Sequence, residues 1–192
     1  MLFRSDAHKT QEAKINQLNK RNIKVNPNII FIPIDFSKES LKDKLIEFGF
    51  KKDQKSLFIL EGLTMYLSRE AVESTFRIID EFSANGSKIV FDYIYLSVLK
   101  KENNFYGEKQ IYNIVRNVNE EWCFGFDKEE AKPFLKIYNF NLVENLSSDD
   151  LEGKYFQNIK GRTGGKINGT HCIAYAKKQH SIQRPFCLIA KI

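Results

Sequence analysis

Cysteine is scarce in this 192-residue chain, and no hydrophobic run is long enough to cross a bilayer. The three cysteines, Cys123, Cys172 and Cys187, are widely spaced and form neither a disulfide framework nor a metal-binding motif. No stretch reaches the roughly 18 apolar residues that a membrane-spanning helix needs. The N-terminus is polar from Arg4 onward, unlike a signal peptide. We therefore expect a cytoplasmic protein with no metal site and no membrane partner.

Charge of one sign is not concentrated anywhere in the chain. Lysine and arginine number 30 against 24 acidic residues, which gives a net charge of +6. The lysines are scattered, as on an ordinary solvated surface, so we expect no nucleic-acid partner. A hydrophobic content of 42% predicts a globular core. We expect one domain over residues 1–178, followed by a tail, 179–192, to which the sequence assigns no role although residues 186–192 are mostly apolar.

Acidic residues follow short apolar runs that are typical of buried strands. A carboxylate recurs at intervals of roughly 25 to 30 residues, about one strand–helix repeat. The runs and their acids are Ile29–Ile34 with Asp35, Leu57–Leu60 with Glu61, and Lys88–Phe91 with Asp92, while Asp6 follows the short run Met1–Phe3. In an open parallel α/β sheet, ligands bind where the strands end. The pattern therefore predicts an acidic rim suited to a nucleotide-like ligand.

The segments between and after these runs predict helices and a closing strand pair. Ser68 is a plausible N-cap for a helix whose buried stripe is Val72, Phe76, Ile79 and Phe82. Asp127–Glu130 resembles a capping box. Residues 140–146 and 169–176 are expected to pair as the last two strands. The order of elements indicates an α/β fold with a mostly parallel sheet.

No glycine-rich loop precedes the acidic series. A nicotinamide-dependent oxidoreductase would share the rim acids but would also carry the glycine fingerprint of a dinucleotide-binding fold. We therefore rank that function last.

The motifs around the acids resemble one family, the bacterial and archaeal branch of the leucine carboxyl methyltransferases. Glu-Gly-Leu-Thr-Met-Tyr-Leu at residues 61–67, directly after an apolar run, is the most specific motif. The others follow the family's order; they are Asp6 with Thr10–Lys14, Ile32–Phe36, Gly86–Tyr93 with Asp92, Trp122–Phe126, and His171–Lys177. The likeness covers residues 3 to 178, approximately.

The resemblance implies a Rossmann-like class I methyltransferase sheet, mostly parallel with one antiparallel strand near the C-terminus. It also implies S-adenosyl-L-methionine as cofactor, and methyl transfer to a carboxylate or to an oxygen of a small molecule. Family positions place Asp6 near the ribose, Asp35 and Phe36 at the adenine, and Glu61 and Gly62 near the methionine part. Tyr66, Asp92 and Tyr93 would border the acceptor, and residues 96–119 would be an acceptor-side insertion. No catalytic residue can be assigned.

The chain departs from the family at its start. Relatives begin with a longer region that holds a first strand and a Gly-x-Gly loop, whereas residue 1 here falls at about the second strand. Arg4 and His8 also replace a usual carboxylate and a usual proline. We expect a fold that lacks the first strand and weak or absent cofactor binding by this chain alone. The alternative is a catalytically inactive remnant or interaction module that self-associates through an exposed sheet edge.

Overall fold

The computed structural model describes residues 2–36, 38–52, 54–117, 121–156 and 165–179. The strands are β1 (Leu2–Asp6), β2 (Ile29–Pro33), β3 (Leu57–Leu60), β4 (Lys88–Ile94), β5 (Phe140–Leu146) and β6 (His171–Lys178). The helices are α1 (His8–Lys20), α2 (Leu41–Glu47), α3 (Arg69–Glu81), α4 (Leu96–Leu99), α5 (Glu108–Asn117), α6 (Ala131–Ile137) and α7 (Ser148–Tyr155). Short 3₁₀ turns cover Thr64–Tyr66 and Lys128–Glu130. None of the helices in these ranges is long and apolar enough to cross a membrane.

The described strands form two sheets. β1 and β2 are parallel and make a two-stranded sheet. The second sheet has the order β3-β4-β6-β5, in which β3 and β4 are parallel and β6 is antiparallel to both of its neighbours. One reversed strand near the C-terminus was predicted, and the closing pair of β5 and β6 confirms that prediction.

Aromatic side chains connect the two sheets and show that β1 and β3 run in the same direction. Near the start of both strands, the ring of Phe50 lies 5.2 Å from that of Phe3 and 5.9 Å from that of Phe58. At the other end, Phe36 follows β2 and packs against the same cluster as Leu60. The carboxyl ends of β1, β2 and β3 therefore share one edge of the molecule.

The main core lies between α3, α6 and the larger sheet. Ser68 caps α3 by accepting a hydrogen bond from the backbone N–H of Ala71. The four stripe residues predicted for this helix, Val72, Phe76, Ile79 and Phe82, are all buried. The ring centroid of Phe76 lies 5.1 Å from that of Phe91 and 4.9 Å from that of Phe134, and both ring pairs are edge-on. These contacts fix α3 across β4 and hold the rim in place.

Strand β4 is longer than the sequence predicted, so the expectation that Asp92 and Tyr93 lie beyond its end is wrong. The strand continues to Ile94 because β6 pairs with it throughout, with Asp92 opposite Ile173 and Tyr93 opposite Cys172. Asp6 is likewise the last residue of β1 rather than a residue after it. Partner strands that are distant in sequence set these lengths.

The insertion predicted at residues 96–119 contains α4 and α5 within its described part. Ile111 packs against the small cluster around Trp122, whereas Ile114, on the same helix, is 58% exposed. Val118 and residues 180–192 of the tail lie outside the described residues.

Candidate functional site

Three of the predicted rim acids lie at the ends of three parallel strands. Asp6 closes β1, where it is paired in register with Pro33 of β2. Asp35 lies two residues beyond β2, and Glu61 follows β3 directly. The structure therefore brings the carboxyl ends of these strands to one edge, as the spacing predicted.

A groove of about 620 Å³ runs between the two sheets and opens at this rim. We call it the inter-sheet groove. Leu2, Phe3 and Ser5 of β1 form one wall, and Leu57–Leu60 of β3 form the other. Near the rim it is lined by Phe36 and Leu63. The three acids do not line the groove themselves, but Asp6, Asp35 and Glu61 each follow or precede a lining residue in sequence (Ser5, Phe36 and Leu60), so they stand beside its mouth.

Asp92 holds the loop that follows β3. Its two carboxylate oxygens lie 3.0 and 3.1 Å from the backbone nitrogen of Gly62, which donates a hydrogen bond to them. Burial raises the pKa of Asp92, and the negative charge of Glu61 acts in the same direction, while the bond from Gly62 opposes them. Asp92 therefore positions Glu61 and Gly62, a role that differs from the predicted contact with the acceptor.

Glu39 holds the residue predicted to meet the adenine. Its carboxylate accepts a 2.7 Å hydrogen bond from the backbone N–H of Asp35, and the same oxygen lies 2.7 Å from Nε2 of His8. The hydrogen bond from the backbone of Asp35 makes the largest contribution and the contact with His8 the next largest, and together they lower the pKa of Glu39 to about 2. The side chain of Asp35 in turn forms an ion pair with Lys38 at 3.3 Å. The loop after β2 is thus tied to the start of α1.

Asp6 and Glu61 differ in how far their charges are compensated. Asp6 accepts a 2.7 Å hydrogen bond from the ammonium of Lys14 and also bonds the backbone N–H of Ala7. Glu61 is exposed and makes no hydrogen bond or ion pair with any other described residue. Gly62 has a φ of +58°, and a Cβ at this position would meet nothing within 4 Å. The Glu61–Gly62 turn therefore offers an open carboxylate next to the groove.

The two tyrosines predicted for the substrate side lie in different environments. Tyr66 is partly exposed at 36%. Tyr93 has no exposed surface; its ring stacks on that of Phe126 at 4.2 Å, and its hydroxyl donates to Asn145 Oδ1 at 2.8 Å. Burial of the hydroxyl raises the pKa of Tyr93 well above its ordinary value. Its position favours a packing role over contact with a substrate.

Sequence reasoning missed two residues that shape the rim. Thr64 is buried and its hydroxyl donates a 2.6 Å hydrogen bond to the carbonyl oxygen of Asp92, which links the turn after β3 to β4. Glu39 is the second, and its position four residues after Asp35 was the available signal. Thr64 belongs to the Glu-Gly-Leu-Thr motif, but its partner is 28 residues away and gave no local signal.

Sequence comparisons relate the chain to methyltransferases. The sequence model of the leucine carboxyl methyltransferase family matches residues 2–80, which contain Asp6, Asp35 and the Glu61–Leu67 motif. A putative S-adenosyl-L-methionine-dependent methyltransferase of Bacillus subtilis (strain 168), YktD, is 28% identical over 159 residues. That alignment covers 83% of this chain and 52% of YktD, so the chain spans about half the length of this relative. The resemblance to the family is confirmed over these residues.

Solved structures confirm the predicted fold class. Magnesium protoporphyrin IX methyltransferase from Synechocystis PCC 6803, solved with bound SAH, superimposes with a TM-score of 0.53 at 9% identity, covering 93% of this chain and 64% of that protein. A SAM-dependent methyltransferase from Methanosarcina mazei superimposes with a TM-score of 0.53 at 10% identity. The superposition covers 92% of this chain and 81% of that protein. The chain therefore has the Rossmann-like class I methyltransferase fold, with its described strands in two sheets.

Proposed function

We propose that this chain, whose residues 2–80 match the model of the leucine carboxyl methyltransferase family, acts as an S-adenosyl-L-methionine-dependent O-methyltransferase. The acceptor would be a carboxylate or an oxygen of a small molecule. The observation that carries the proposal is the set of rim acids, Asp6, Asp35 and Glu61, at the mouth of the inter-sheet groove on a class I methyltransferase fold.

The residues at this mouth fit the nucleoside part of such a cofactor. Carboxylates accept hydrogen bonds from an exocyclic amine or from ribose hydroxyls, and Asp35, Asp6 and Glu61 provide them around one opening. The half-buried ring of Phe36 lines the groove and offers an apolar face to a purine. Gly62 leaves open space beside Glu61, where a larger side chain would approach the ligand. The methionine part has no comparably defined set of partners among the described residues.

The chemistry places modest demands on the protein. The cofactor supplies a methyl group on a sulfonium, which is already an activated leaving group, so the acceptor oxygen needs correct placement more than proton transfer. In this proposal, Asp92 and Thr64 fix the turn after β3, and Glu39 fixes the loop after β2, so that the rim keeps its shape. Tyr66, at the exposed surface of the same turn, faces the acceptor.

Titration calorimetry with S-adenosylhomocysteine tests cofactor binding by the full chain. We expect weak, saturable binding with a dissociation constant near the millimolar range, about −4 kcal/mol. Phe36→Ala should weaken it several-fold further, whereas Tyr155→Ala, which truncates an exposed ring on α7, should leave it unchanged. Absence of saturable heat at about ten times the expected dissociation constant would contradict cofactor binding by this chain.

A second function, that of a non-catalytic interaction module, is favoured by the open edges of β1 and β3. Each of these strands is paired on one side only among the described residues. Exposed edges of this kind bind further strands. Light scattering after size exclusion separates the two functions, because a concentration-independent monomer that binds S-adenosylhomocysteine would contradict the module, and a dimer that does not bind it would support the module.

A further inference from the structure

His171 lies at the rim, beside the end of β4. It is the first residue of β6, and it pairs in register with Ile94, the last residue of β4. Because β6 is antiparallel to β4, whereas β3 and β4 are parallel, the start of β6 is on the same edge of the sheet as Glu61. The two strands β3 and β6 are separated by two strand spacings, about 10 Å. His171 therefore belongs to the rim, although it does not line the inter-sheet groove.

A chain of hydrogen bonds determines which nitrogen of the His171 ring carries the proton. The amide nitrogen of Asn168 donates to the carbonyl oxygen of Gly107 at 3.0 Å, which fixes the orientation of the amide. Asn168 Oδ1 then accepts from the backbone N–H of Thr170 at 3.0 Å and from the Thr170 hydroxyl. Since that hydroxyl has one proton and gives it to Asn168, its 2.7 Å contact with Nδ1 of His171 requires the ring N–H to donate. Nδ1 is therefore protonated, and Nε2 carries a lone pair.

The lone pair on Nε2 of His171 is left without a partner. Nε2 makes no hydrogen bond with any residue in the described ranges. The side chain is partly buried, and burial lowers the pKa of the imidazole below its ordinary value of 6.5. The ring is therefore neutral at pH 7. A neutral imidazole with a fixed tautomer and an unpaired Nε2 can take a proton from a ligand.

The ring next to His171 carries an unpaired donor. Trp122 is 7% exposed and packs edge-on against the imidazole, with 5.6 Å between the ring centroids. Its indole Nε1 is buried and has no hydrogen-bond partner among the described residues. Buried polar groups without a partner are rare, and an oxygen of a bound ligand would satisfy this one. We call the two rings the imidazole–indole pair; together they leave one acceptor, Nε2 of His171, and one donor unpaired.

The imidazole–indole pair lies on the side of the rim that was predicted for the acceptor. The backbone N–H of Cys123 donates to the carbonyl oxygen of Met65 at 2.7 Å, which fixes Trp122 beside the turn after β3. From the other side, Tyr112 of α5 meets the Trp122 ring edge-on at 5.8 Å. The pair is therefore enclosed between that turn and the segment 96–119, and its surroundings are largely aromatic.

We infer that the imidazole–indole pair binds the hydroxyl of a phenol and that His171 is the base for its methylation, an inference that rests on the function proposed above. A hydroxyl both donates and accepts, so it can bond Nε2 of His171 and the indole N–H of Trp122. A carboxylate only accepts and would face the Nε2 lone pair. The aromatic surroundings suit the ring of a phenol.

The proposed step gives the base a definite task. A phenol has a pKa of about 10 and keeps its proton at pH 7, whereas a carboxylate is already ionised. As the phenol oxygen forms its bond to the methyl carbon, the hydroxyl proton passes to Nε2 of His171. The bond between the methyl carbon and the cofactor sulfur breaks, and its electron pair stays on sulfur. The imidazolium then loses the proton to water, which returns His171 to its starting state.

Nitrogen-15 NMR of the histidine rings in the full chain tests the inference without cofactor. The His171 signals are those that disappear in His171→Gln and remain in His8→Gln. At pH 7 we expect a protonated Nδ1 and an unprotonated Nε2. Phenol at about 10 mM, ten times the dissociation constant of a millimolar site, should shift the Nε2 signal saturably, whereas benzoate should not. A proton on Nε2, no shift with phenol, or an equal shift with benzoate would overturn the inference.

Thr170 provides a matched pair of variants. Thr170→Val removes the hydroxyl that accepts the ring N–H of His171 and keeps a side chain of similar shape. We expect the proton to move to Nε2 in most molecules and the phenol shift to fall several-fold. Thr170→Ser keeps the hydroxyl and should keep both properties, and this variant serves if Thr170→Val does not fold. An unchanged tautomer in folded Thr170→Val, or an altered one in Thr170→Ser, would show that Thr170 does not position the ring.

The inference and the proposed function fail in distinguishable ways. If S-adenosylhomocysteine binds but phenol does not shift the Nε2 signal, the role of His171 is overturned and the proposed function stands. If phenol shifts the signal but S-adenosylhomocysteine does not bind, the hydroxyl site is supported and the proposed function is contradicted. Where both bind, His171→Gln should lower kcat for phenol methylation by about 10²–10⁴-fold and leave binding of S-adenosylhomocysteine unchanged. An unchanged kcat would overturn the role of His171 as the base.

Discussion

Both carboxylate oxygens of Asp92, in β4, accept a hydrogen bond from the backbone N–H of Gly62, just after the neighbouring parallel strand β3, at 3.0 and 3.1 Å. Gly62 has a φ of +58°, in the left-handed region that favours glycine. A charged side chain in the middle of β4 thus fixes the conformation of the turn that carries Glu61. The cost of this arrangement is the partial burial of an ionised carboxylate, which raises the pKa of Asp92.

Asp92→Asn should become relatively more stable as the pH rises. A carboxyl with a raised pKa in the folded state contributes stability below its unfolded pKa, near 3.8, and loses it as the pH rises through the folded pKa. Asparagine cannot ionise and keeps its contribution. Urea unfolding at a series of pH values from about 4 to 7 should therefore show the difference in unfolding free energy, variant minus wild type, increasing with pH. Glu12→Gln, at an exposed position, is the control. A flat difference for Asp92→Asn would contradict the effect of burial.

Glu39→Gln should have the opposite pH dependence. The pKa of Glu39 is lowered to about 2 by the backbone of Asp35 and by His8, so its stabilising contribution is present above pH 4.5 and is lost as the pH falls through 2. The variant should be less stable than wild type at neutral pH, and the difference should shrink in acid. Acid unfolding curves followed by circular dichroism measure this change, with Glu12→Gln as the control. If the stability difference between Glu39→Gln and wild type were as large at pH 2 as at neutral pH, the negative charge of Glu39 would not be the source of its contribution.

Local patterns were sufficient for the elements whose signals lie within the element itself. Ser68 and the buried stripe of α3 follow from helical spacing and an N-cap. The capping box at Asp127 and Glu130 is present, with each side chain bonded to the other residue's backbone. The apolar run of β3 has the predicted bounds, Leu57–Leu60. In each case the residues that determine the structure are neighbours along the chain.

Features set by distant partners could not be predicted. The end of β4 depends on pairing with β6, and its partner for Ile94 is His171, 77 residues later. The burial of Tyr93 depends on Phe126, which stacks on it. The position of Asp35 depends on Glu39, whose other partner, His8, lies 31 residues earlier in the chain. The rim acids could be predicted as a set because the ends of parallel strands share one edge. The ion pairs of Asp6 with Lys14 and of Asp35 with Lys38 depend on side-chain geometry, which the sequence does not show.

Phe76→Ala should strongly destabilise the fold. Phe76 is fully buried in α3, and its ring lies 5.1 Å from Phe91 and 4.9 Å from Phe134. Removing a buried phenyl ring costs about 3–5 kcal/mol through lost transfer energy and the cavity left behind. Ile137→Ala, at a position 72% exposed, should change the unfolding free energy by less than about 0.5 kcal/mol. Chemical denaturation of both variants measures the contrast, and equal losses would mean that α3 does not hold the core.

Gly125→Ala should destabilise the protein because the backbone of β4 approaches this glycine closely. A Cβ at Gly125 would lie 2.6 Å from the carbonyl oxygen of Ile94 and 3.1 Å from its Cγ1. The same carbonyl oxygen accepts the backbone N–H of Phe126 at 3.2 Å, so it cannot retreat without weakening that bond. Overpacking of this kind costs about 1–3 kcal/mol.

Gly153→Ala is the matched control for this substitution. Gly153 lies inside α7, and a Cβ there would meet nothing within 4 Å. Alanine in a helix interior is favoured over glycine by about 0.5–1 kcal/mol, so the same chemical change should stabilise the protein at this position. Thermal unfolding should therefore give shifts of opposite sign for the two variants. If Gly125→Ala were neutral, the segment 122–126 would have to pack less tightly on Ile94 than the structure shows, and the stacking of Phe126 on Tyr93 would need to be re-examined.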